Sequence, residues 1–545
     1  MKLLSIRMSL RWCTLLLLLC MAPAAQDHQQ QHLLRSSPNK ASHRVEELER
    51  IACRYHASMC VDGLKFTDVY SSLFHARRNS VHNVVHIGIG KGEAVKIWHD
   101  YFPNANIFAL ANNAALSNGT FKMLLRSTSS RLKLHIGRNV SFAALLQESH
   151  IKIGSIDIIF ESGCSGLRSC HEKVLALMFP FLRPGGHYII EGVNLRSGDG
   201  AGFLDGPTAL SAVTAEILAT NHPFFVDASL GHKSLWKRFY NSSNSSSNNN
   251  NRVDSVISTN ASIVIDFEDH IKHNLYLLVV RRRIGAAPPV RMQTGAAYLN
   301  RDKVLLAPVA VGNQTHTSIE DLAFKYGSHI GKDDHKYTDF YASLMQPVRH
   351  KLLAMAEVGV GAGQGLQLWW HYFSRATIYG LDDDKGAVAF VASKLPYLVA
   401  NDSRNSSNRV VLLEADSTDG EAMRLLFSSL QRSLDLVIDD GCASLQCQER
   451  TLANLWGAVK PGGHYIVQNV QGTARGVVFA ASPGALSAAT VDILINNHAF
   501  LVDAAIAHRR WDWWSGVNKQ TVGEHVRALH NSYLLVVRKR RYVYT

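Results

Sequence analysis

KLLAMAEVGVGAGQG (351–365) reads as an apolar strand that breaks into glycines, and the helix-like LQLWWHYF (366–373) follows at once. A strand, a glycine turn and a helix in that order open a parallel α/β sheet. Further apolar runs continue the alternation: TIYGLD (377–382), VVLLEAD (410–416), LDLVIDD (434–440) and GGHYIVQNV (462–470), with YLLVVRKR (533–540) as a last strand after a long connection. The expected fold class is therefore α/β, a mostly parallel sheet covered by helices. Such sheets bind ligands at the carboxyl ends of their strands. Gly359, Asp382, Asp416 and Asp440 all fall at those ends.

The glycines Gly359, Gly361 and Gly363 allow close approach to the backbone, and the following helix begins with N–H groups that lack helical partners. Asp382 stands about 20 residues on, at the end of the second strand, where a carboxylate holds ribose hydroxyls. No lysine of the phosphate-loop type follows the glycines, so a nucleoside suits the turn better than a triphosphate. A NAD-type site is the competing reading; the final strand and the strand-ending acids favour S-adenosylmethionine.

The same pattern occurs twice. FTDVYSSL (66–73) returns as YTDFYASL (337–344), LRPGGHYII (182–190) as VKPGGHYIV (459–467), NHPFFVDA (221–228) as NHAFLVDA (497–504), and YLLVVRRR (276–283) as YLLVVRKR (533–540). The order is kept, so two tandem Rossmann-like domains are expected, over 45–284 and 318–545, with a linker at 285–317. A chain of 545 residues is in any case too long for one ordinary core. The first copy carries an insertion that includes NSSNSSSNNNN (241–251), a polar tract that cannot bury a core.

The first 26 residues place Lys2, Arg7 and Arg11 before a short apolar run and Ala22-Pro23-Ala24 after it. That is the pattern of a secretory signal peptide, expected to occupy 1–25. The apolar run is shorter than the ~20 residues of a spanning helix; an uncleaved Golgi-type anchor is the other reading. No later segment is long and apolar enough to span. The expected location is the secretory pathway, in the Golgi lumen or outside the cell. Of the 8 cysteines, two lie in the signal and six fall into close pairs, Cys53 with Cys60, Cys164 with Cys170 and Cys442 with Cys447. In a secreted chain such pairs read as disulfides, although spacing leaves other connectivities open. Asn118, Asn139, Asn241, Asn244, Asn260, Asn313, Asn401 and Asn405 each begin an N-x-S/T acceptor, which points to a glycosylated surface. A net charge of +13 would suggest nucleic acid in the cytosol. For a secreted chain it points instead to acidic glycans or phospholipid surfaces. The basic clusters 281–283 and 538–541 each follow an apolar strand, and read first as solvated strand ends.

The second copy resembles the macrocin O-methyltransferase family of class I S-adenosylmethionine-dependent methyltransferases. The resemblance covers roughly Asp321 to Arg540. It rests on YGSHIGKDDHKYTDFY (326–341), EVGVGAGQG (357–365), GLDDD (380–384), EAD (414–416), IDDG (438–441) and KPGGHYIVQNV (460–470). It implies a seven-stranded Rossmann-like sheet, cofactor contacts from Glu357, Gly359, Gly361, Gly363 and Asp382, and Asp416 near the adenine. It also implies a magnesium ion, held by the second aspartate of a DDGSH stretch and an acidic pair after the fifth strand, with that histidine as base. Here Asp440 matches the first metal ligand, but Gln468 and Asn469 occupy the acidic pair. Ala443 stands at the histidine position. Neutral amides supply no charge, so magnesium binding should weaken greatly. Asp439 and Asp440 remain as weak catalytic bases, and His464 and His498 lie nearby in sequence. The first copy departs further: Ala111 replaces the ribose aspartate, Arg138 the adenine-side acid, and Glu161-Ser162 the two aspartates, while Glu191-Gly192 follow the fifth strand.

Two functions are expected on this evidence. The first is a secretory-pathway O-methyltransferase acting on a glycan or sugar hydroxyl through the second copy. The alternative is a secreted, non-catalytic pseudo-methyltransferase that binds an acidic glycan or protein partner. A purely architectural glycoprotein is a third possibility.

Overall fold

The computed structural model describes residues 46–57, 59–60, 65–112, 130–137, 151–164, 167–193, 210–228, 230, 276–284, 318–331, 337–396, 398–399, 409–429, 433–473, 476–477, 479, 486–504 and 533–541. The signal-like start, the tract 241–251, the linker 285–317, Arg138 and all eight acceptor asparagines lie outside them. Among the described residues no helix is long and apolar enough to cross a membrane.

The first part of the chain supplies α1 (Glu47–Arg54), α2 (Phe66–Phe74), β1 (Asn83–Ile87), α3 (Glu93–Tyr101), β2 (Asn106–Asn112), β3 (Leu132–Gly137), β4 (Ile156–Glu161), α4 (Arg168–Met178), β5 (Leu182–Glu191), α5 (Ala212–Thr220), β6 (His222–Asp227) and β7 (Tyr276–Arg281). The second supplies α6 (Ile319–Tyr326), α7 (Tyr337–Met345), β8 (Ala354–Val358), α8 (Gln364–Tyr372), β9 (Thr377–Asp382), α9 (Lys385–Lys394), β10 (Val410–Glu414), α10 (Gly420–Ser429), β11 (Leu434–Asp439), α11 (Leu445–Leu455), β12 (Val459–Val470), a short ribbon of β13 (Gly472–Thr473) and β14 (Gly476–Val477), α12 (Ala488–Asn496), β15 (His498–Asp503) and β16 (Tyr533–Arg538). Strands β1, β4 and β8 have apolar residues on both faces, as parallel strands buried under helices require.

One 14-stranded sheet runs β10-β9-β8-β11-β12-β16-β15-β6-β7-β5-β4-β1-β2-β3. Each half of it has the same order. The first five strands of a half are parallel, and the last two, far apart in sequence, pair antiparallel at the inner end. This is a Rossmann-like arrangement, and the same strand order is seen in each half, running in opposite senses along one sheet. The halves meet where β6 pairs antiparallel with β15 through Asp227↔Leu501, Val226↔Val502 and Phe225↔Asp503.

Two of the repeated stretches turn out to be the two sides of that junction. Helix α2 packs on β15 and α7 packs on β6, so each half's TD helix lies against the other half's NH strand. His498 Nδ1 meets Asp68 Oδ1 at 2.6 Å, and His222 Nδ1 meets Asp339 Oδ1 at 2.8 Å. Arg540 reaches Glu49 at 2.5 Å, and Arg283 pairs with Glu320 in the matching place. Glu46 has no described counterpart: it accepts from Arg538 Nη1 at 2.7 Å and from His498 Nε2.

These contacts correct the reading of the basic clusters as solvated strand ends. Arg281, Arg282 and Arg538 are buried. Arg282 donates to the carbonyls of Pro180 and Leu182, and Lys539 to those of Trp456 and Val459. Their charge is consumed in holding helix ends and the junction, where long side chains lie flat along the protein.

Candidate active site

The turn after β8 holds its three glycines at positive φ, Gly359 at 83°, Gly361 at 47° and Gly363 at 82°. Gly359 lies flat on the next strand end, so a Cβ there would come within 2.8 Å of Asp440 O and Gly441 Cα. A Cβ on Gly361 would meet nothing within 4 Å, which marks the open side of the turn. Asp382 ends β9 and grips this turn: its Oδ2 accepts from the N–H of Val360 at 2.8 Å and of Gly361 at 3.3 Å. Its Oδ1 accepts from Asp384 N at 3.0 Å.

Glu357 lies beneath the turn. Its Oε1 accepts from Trp369 Nε1 at 3.1 Å, while its Oε2 is buried without a hydrogen-bond partner. Burial, helped by nearby Asp440, pushes this carboxyl up to about 8. A buried carboxyl oxygen without a partner is costly, and asks for a donor once the acid is ionised. The turn, Glu357 and Asp382 thus offer a buried acid with one oxygen unpartnered, an accessible backbone and a second acid one strand over. That set fits the amino-acid and ribose parts of S-adenosylmethionine. Asp416 lies just beyond the end of β10. It is exposed, and its Oδ1 is taken by Thr418 N at 2.8 Å and Thr418 Oγ1 at 2.7 Å.

The two aspartates ending β11 point to different places. Asp439 is buried, and its Oδ2 accepts from Tyr465 OH at 2.8 Å; burial pushes its carboxyl up to about 7. It is packed in the sheet and does not serve as an open base. Asp440 faces the mouth. Its Oδ1 accepts from Asn469 Nδ2 at 2.5 Å and its Oδ2 lies 2.9 Å from His329 Nε2. His329 Nε2 also approaches Gln468 Oε1 at 3.3 Å.

A divalent ion does not fit this set. Asp440 is the one carboxylate beside two neutral amides, and both of its oxygens already meet a nitrogen. The amides are engaged as well: Gln468 Nε2 donates to Tyr341 OH at 2.6 Å, and Tyr337 OH donates to Asn469 Oδ1 at 3.2 Å. Without the acidic pair, the imidazole of His329 takes the space beside Asp440.

The histidines weighed from sequence lie elsewhere. His464 is half-buried beside its cross-strand partner Arg538, and the loss of solvent around the ring, with that cation, keeps it neutral. His498 belongs to the junction. His329 is the histidine at the mouth, and sequence reasoning passed over it. The available signal was its place in YGSHIGKDDHKYTDFY, one residue stretch ahead of the helix that supports Gln468 and Asn469.

The first half has a similar turn but different side chains around it. Gly88, Gly90 and Gly92 keep positive φ, but His86 stands where Glu357 is, accepting from Trp98 Nε1 at 3.2 Å. Burial lowers His86 to about 4, so it is neutral. Ala111 leaves no ribose carboxylate. Ser162 turns back onto the carbonyls of Ile87 and Gly88. Glu161 pairs with His171 at 2.7 Å, and Glu191 with Tyr70 OH at 2.5 Å.

Cys53–Cys60, Cys164–Cys170 and Cys442–Cys447 are bonded in the structure. The last sits at the mouth, where Gln448 Nε2 donates to Cys442 O at 2.9 Å and to Gln468 O at 3.1 Å. Replacing both Cys442 and Cys447 by serine should lower stability by roughly 2 kcal/mol, the loop-closure value for so short a ring. Urea unfolding checks this, and non-reducing peptide mapping should recover the local bridge. Free thiols at both positions would remove the staple and reopen a metal or redox reading of the loop.

No family model matches the chain. It is 29% identical over 157 residues to the 8-demethyl-8-alpha-L-rhamnosyl tetracenomycin-C 2'-O-methyltransferase of Streptomyces olivaceus, covering 28% of this chain and 37% of that protein. It is 28% identical over 175 residues to the L-olivosyl-oleandolide 3-O-methyltransferase of Streptomyces antibioticus, covering 31% and 42%. The chain thus spans well under half the length of these relatives. Among solved structures, the MycE methyltransferase of the mycinamycin pathway, in complex with Mg and SAH, is 19% identical and covers 41% of this chain and 55% of that one at a TM-score of 0.25. The fold rests on the strand order above and not on that superposition. Strand order and sequence relatives together support membership of the class I methyltransferase superfamily.

Proposed function

We propose that the second half binds S-adenosylmethionine and transfers its methyl group to a hydroxyl of a sugar or glycan in the secretory pathway. On this reading the chain is a tandem duplication whose first half no longer binds cofactor. The observation that carries it is the convergence of Gly359–Gly363, the partnerless Oε2 of Glu357 and Asp382 at adjacent strand ends. The relatives' names, O-methyltransferases of compounds that include a rhamnosyl and an olivosyl derivative, support the acceptor class.

When bound, the cofactor supplies an electrophilic methyl group on sulfur. Glu357 and the turn would hold its amino-acid part, and Asp382 its ribose. Burial would lower His329, but Asp440 and Gln468 raise it; in its neutral form, with Nε2–H directed at Asp440, the lone pair is on Nδ1. A carboxylate that fixes a histidine tautomer in this way makes a proton acceptor for an alcohol. Asn469 and Gln468 hold that pair in place without a metal ion.

Titration of the purified protein with S-adenosylmethionine tests the reading. Asp382→Ala should weaken binding by ~1–3 kcal/mol, the scale of a lost charged hydrogen bond plus a loosened turn. Equal binding by wild type and variant, or none by wild type, would sink it. The second reading, a non-catalytic binder, draws on the missing acidic pair. Its acidic-glycan version is weakened by the burial of Arg281, Arg282 and Arg538. Cofactor binding without any transfer to sugar hydroxyls would favour it.

A further inference from the structure

We infer that His222, in the first half, is a positioning residue for the candidate active site of the second half, acting through helix α7. This rests on the reading of that site as a cofactor and acceptor site.

Helix α7 has two working faces. Tyr337 and Tyr341, one turn apart, share a face. Tyr337 OH donates to Asn469 Oδ1 at 3.2 Å and accepts from Asn469 N at 3.1 Å, while Tyr341 OH accepts from Gln468 Nε2 at 2.6 Å. Tyr341 also sets its ring against Trp369 at 5.3 Å, and Trp369 donates to Glu357. So one helix face supports the residues around both Asp440 and Glu357. Asp339 lies between the two tyrosines and so points the other way. It is buried, and it meets His222 Nδ1 of β6 at 2.8 Å. Phe340 adds an edge-on contact with Phe224 of the same strand at 5.4 Å.

The helix is therefore seated on both halves: Phe340 also meets Phe500 of β15 at 6.5 Å, while Asp339 and the other edge of Phe340 rest on β6 of the first half. Asn469 shows why the seat matters. It holds a left-handed backbone, φ 55°, which is unfavourable for a residue with a side chain unless its surroundings enforce it. Tyr337 bonds both its N–H and its side chain, and Asn469 in turn fixes Asp440. The chain of contacts runs His222, Asp339, α7, Tyr337, Asn469, Asp440, His329. A half that binds no cofactor thereby keeps a task in the chemistry of its neighbour.

The mirror-related contact supplies the control. His498 holds Asp68 of α2, whose Tyr70 bonds Glu191 in the first half, far along the sheet from Asp440. His222→Ala should raise amide exchange in 337–345 and 468–470 by about tenfold or more, with 66–74 and 188–192 unchanged. It should weaken S-adenosylmethionine binding by about tenfold, the usual size of a coupling between sites. His222→Gln keeps an N–H for Asp339 and should recover most of both. His498→Ala should reverse the exchange pattern and leave cofactor affinity as in wild type. If His222→Ala does not fold, Asp339→Asn carries the same test with little change of shape. The inference falls if exchange in 337–345 and 468–470 stays at the wild-type rate, or if His498→Ala harms cofactor binding as much as His222→Ala. If wild type binds no cofactor, the functional reading fails, and the exchange contrast alone still decides whether His222 positions the site.

Discussion

Glu46→Ala will lower the unfolding free energy by about 3–5 kcal/mol, the cost of breaking a buried ion pair from one side. Glu46 is 1% exposed and accepts from Arg538 Nη1 at 2.7 and 2.9 Å, and from His498 Nε2. Removing it leaves a buried guanidinium with no described carboxylate and takes one of two acids from His498. The pH dependence has a definite sign. Burial by itself would raise Glu46, but His498 and Arg538 outweigh it and hold the carboxyl well below its usual range. Its contribution is therefore present above the unfolded value near ~4 and is lost only in strong acid. His498 runs the other way. Burial would lower it, yet Glu46 and Asp68 raise it. Its contribution is complete below about 6.5 and fades as pH rises through the folded value. Urea unfolding should show that the wild type loses stability on the alkaline side, and that Glu46→Ala loses less there because His498 is raised less. A variant within 1 kcal/mol of wild type (about the scale of an exposed pair) would mean that the junction does not depend on this group.

Gly359→Ala should abolish measurable cofactor binding. A φ of 83° costs a non-glycine residue about 1–3 kcal/mol. The new methyl would also lie 2.8 Å from Asp440 O and Gly441 Cα, which are backbone and cannot rotate away. Relief requires pushing β8 and the end of β11 apart, an overpacking cost of about 1–3 kcal/mol. The same movement displaces Asp440 and the turn that Asp382 grips. A fall in affinity of about 100-fold or more is expected, since each ~1.4 kcal/mol is tenfold. Gly361→Ala is the comparison, because its methyl meets nothing within 4 Å and only the φ of 47° is strained. Calorimetric titration of both variants decides the matter. Equal affinities would show that close packing of the turn on Asp440 is unimportant for binding.

Local pattern made the sheet legible. The apolar runs beginning near 354, 377, 410 and 434 became β8, β9, β10 and β11, because each strand's burial is written in its own residues. The glycine turn and Asp382 could be read for the same reason. The junction could not. Glu46 and Arg538 are 492 residues apart, and neither one's neighbours hint at the other. The repeats TD and NH were visible as repeats, but nothing local says that one copy's TD meets the other copy's NH. His329 was hidden for a related reason. Its partner Asp440 lies on a different element, and the family pattern directed the search for a base to position 443. The basic clusters were misread because charge suggests water, whereas strand ends in this sheet abut carbonyls and acids.

One peptide chain running through both halves of the sheet has a consequence for how the halves can change. In an assembly of two identical subunits, every substitution lands on both sides of the contact at once. Here a change at one side is inherited alone. His498 has Glu46 as a second acid, while His222 has Glu320 at 3.8 Å. Glu357 and Asp382 persist where His86 and Ala111 stand opposite. Linkage by a covalent chain lets the two halves differ in their side chains while the pairing of β6 with β15 holds both in one sheet.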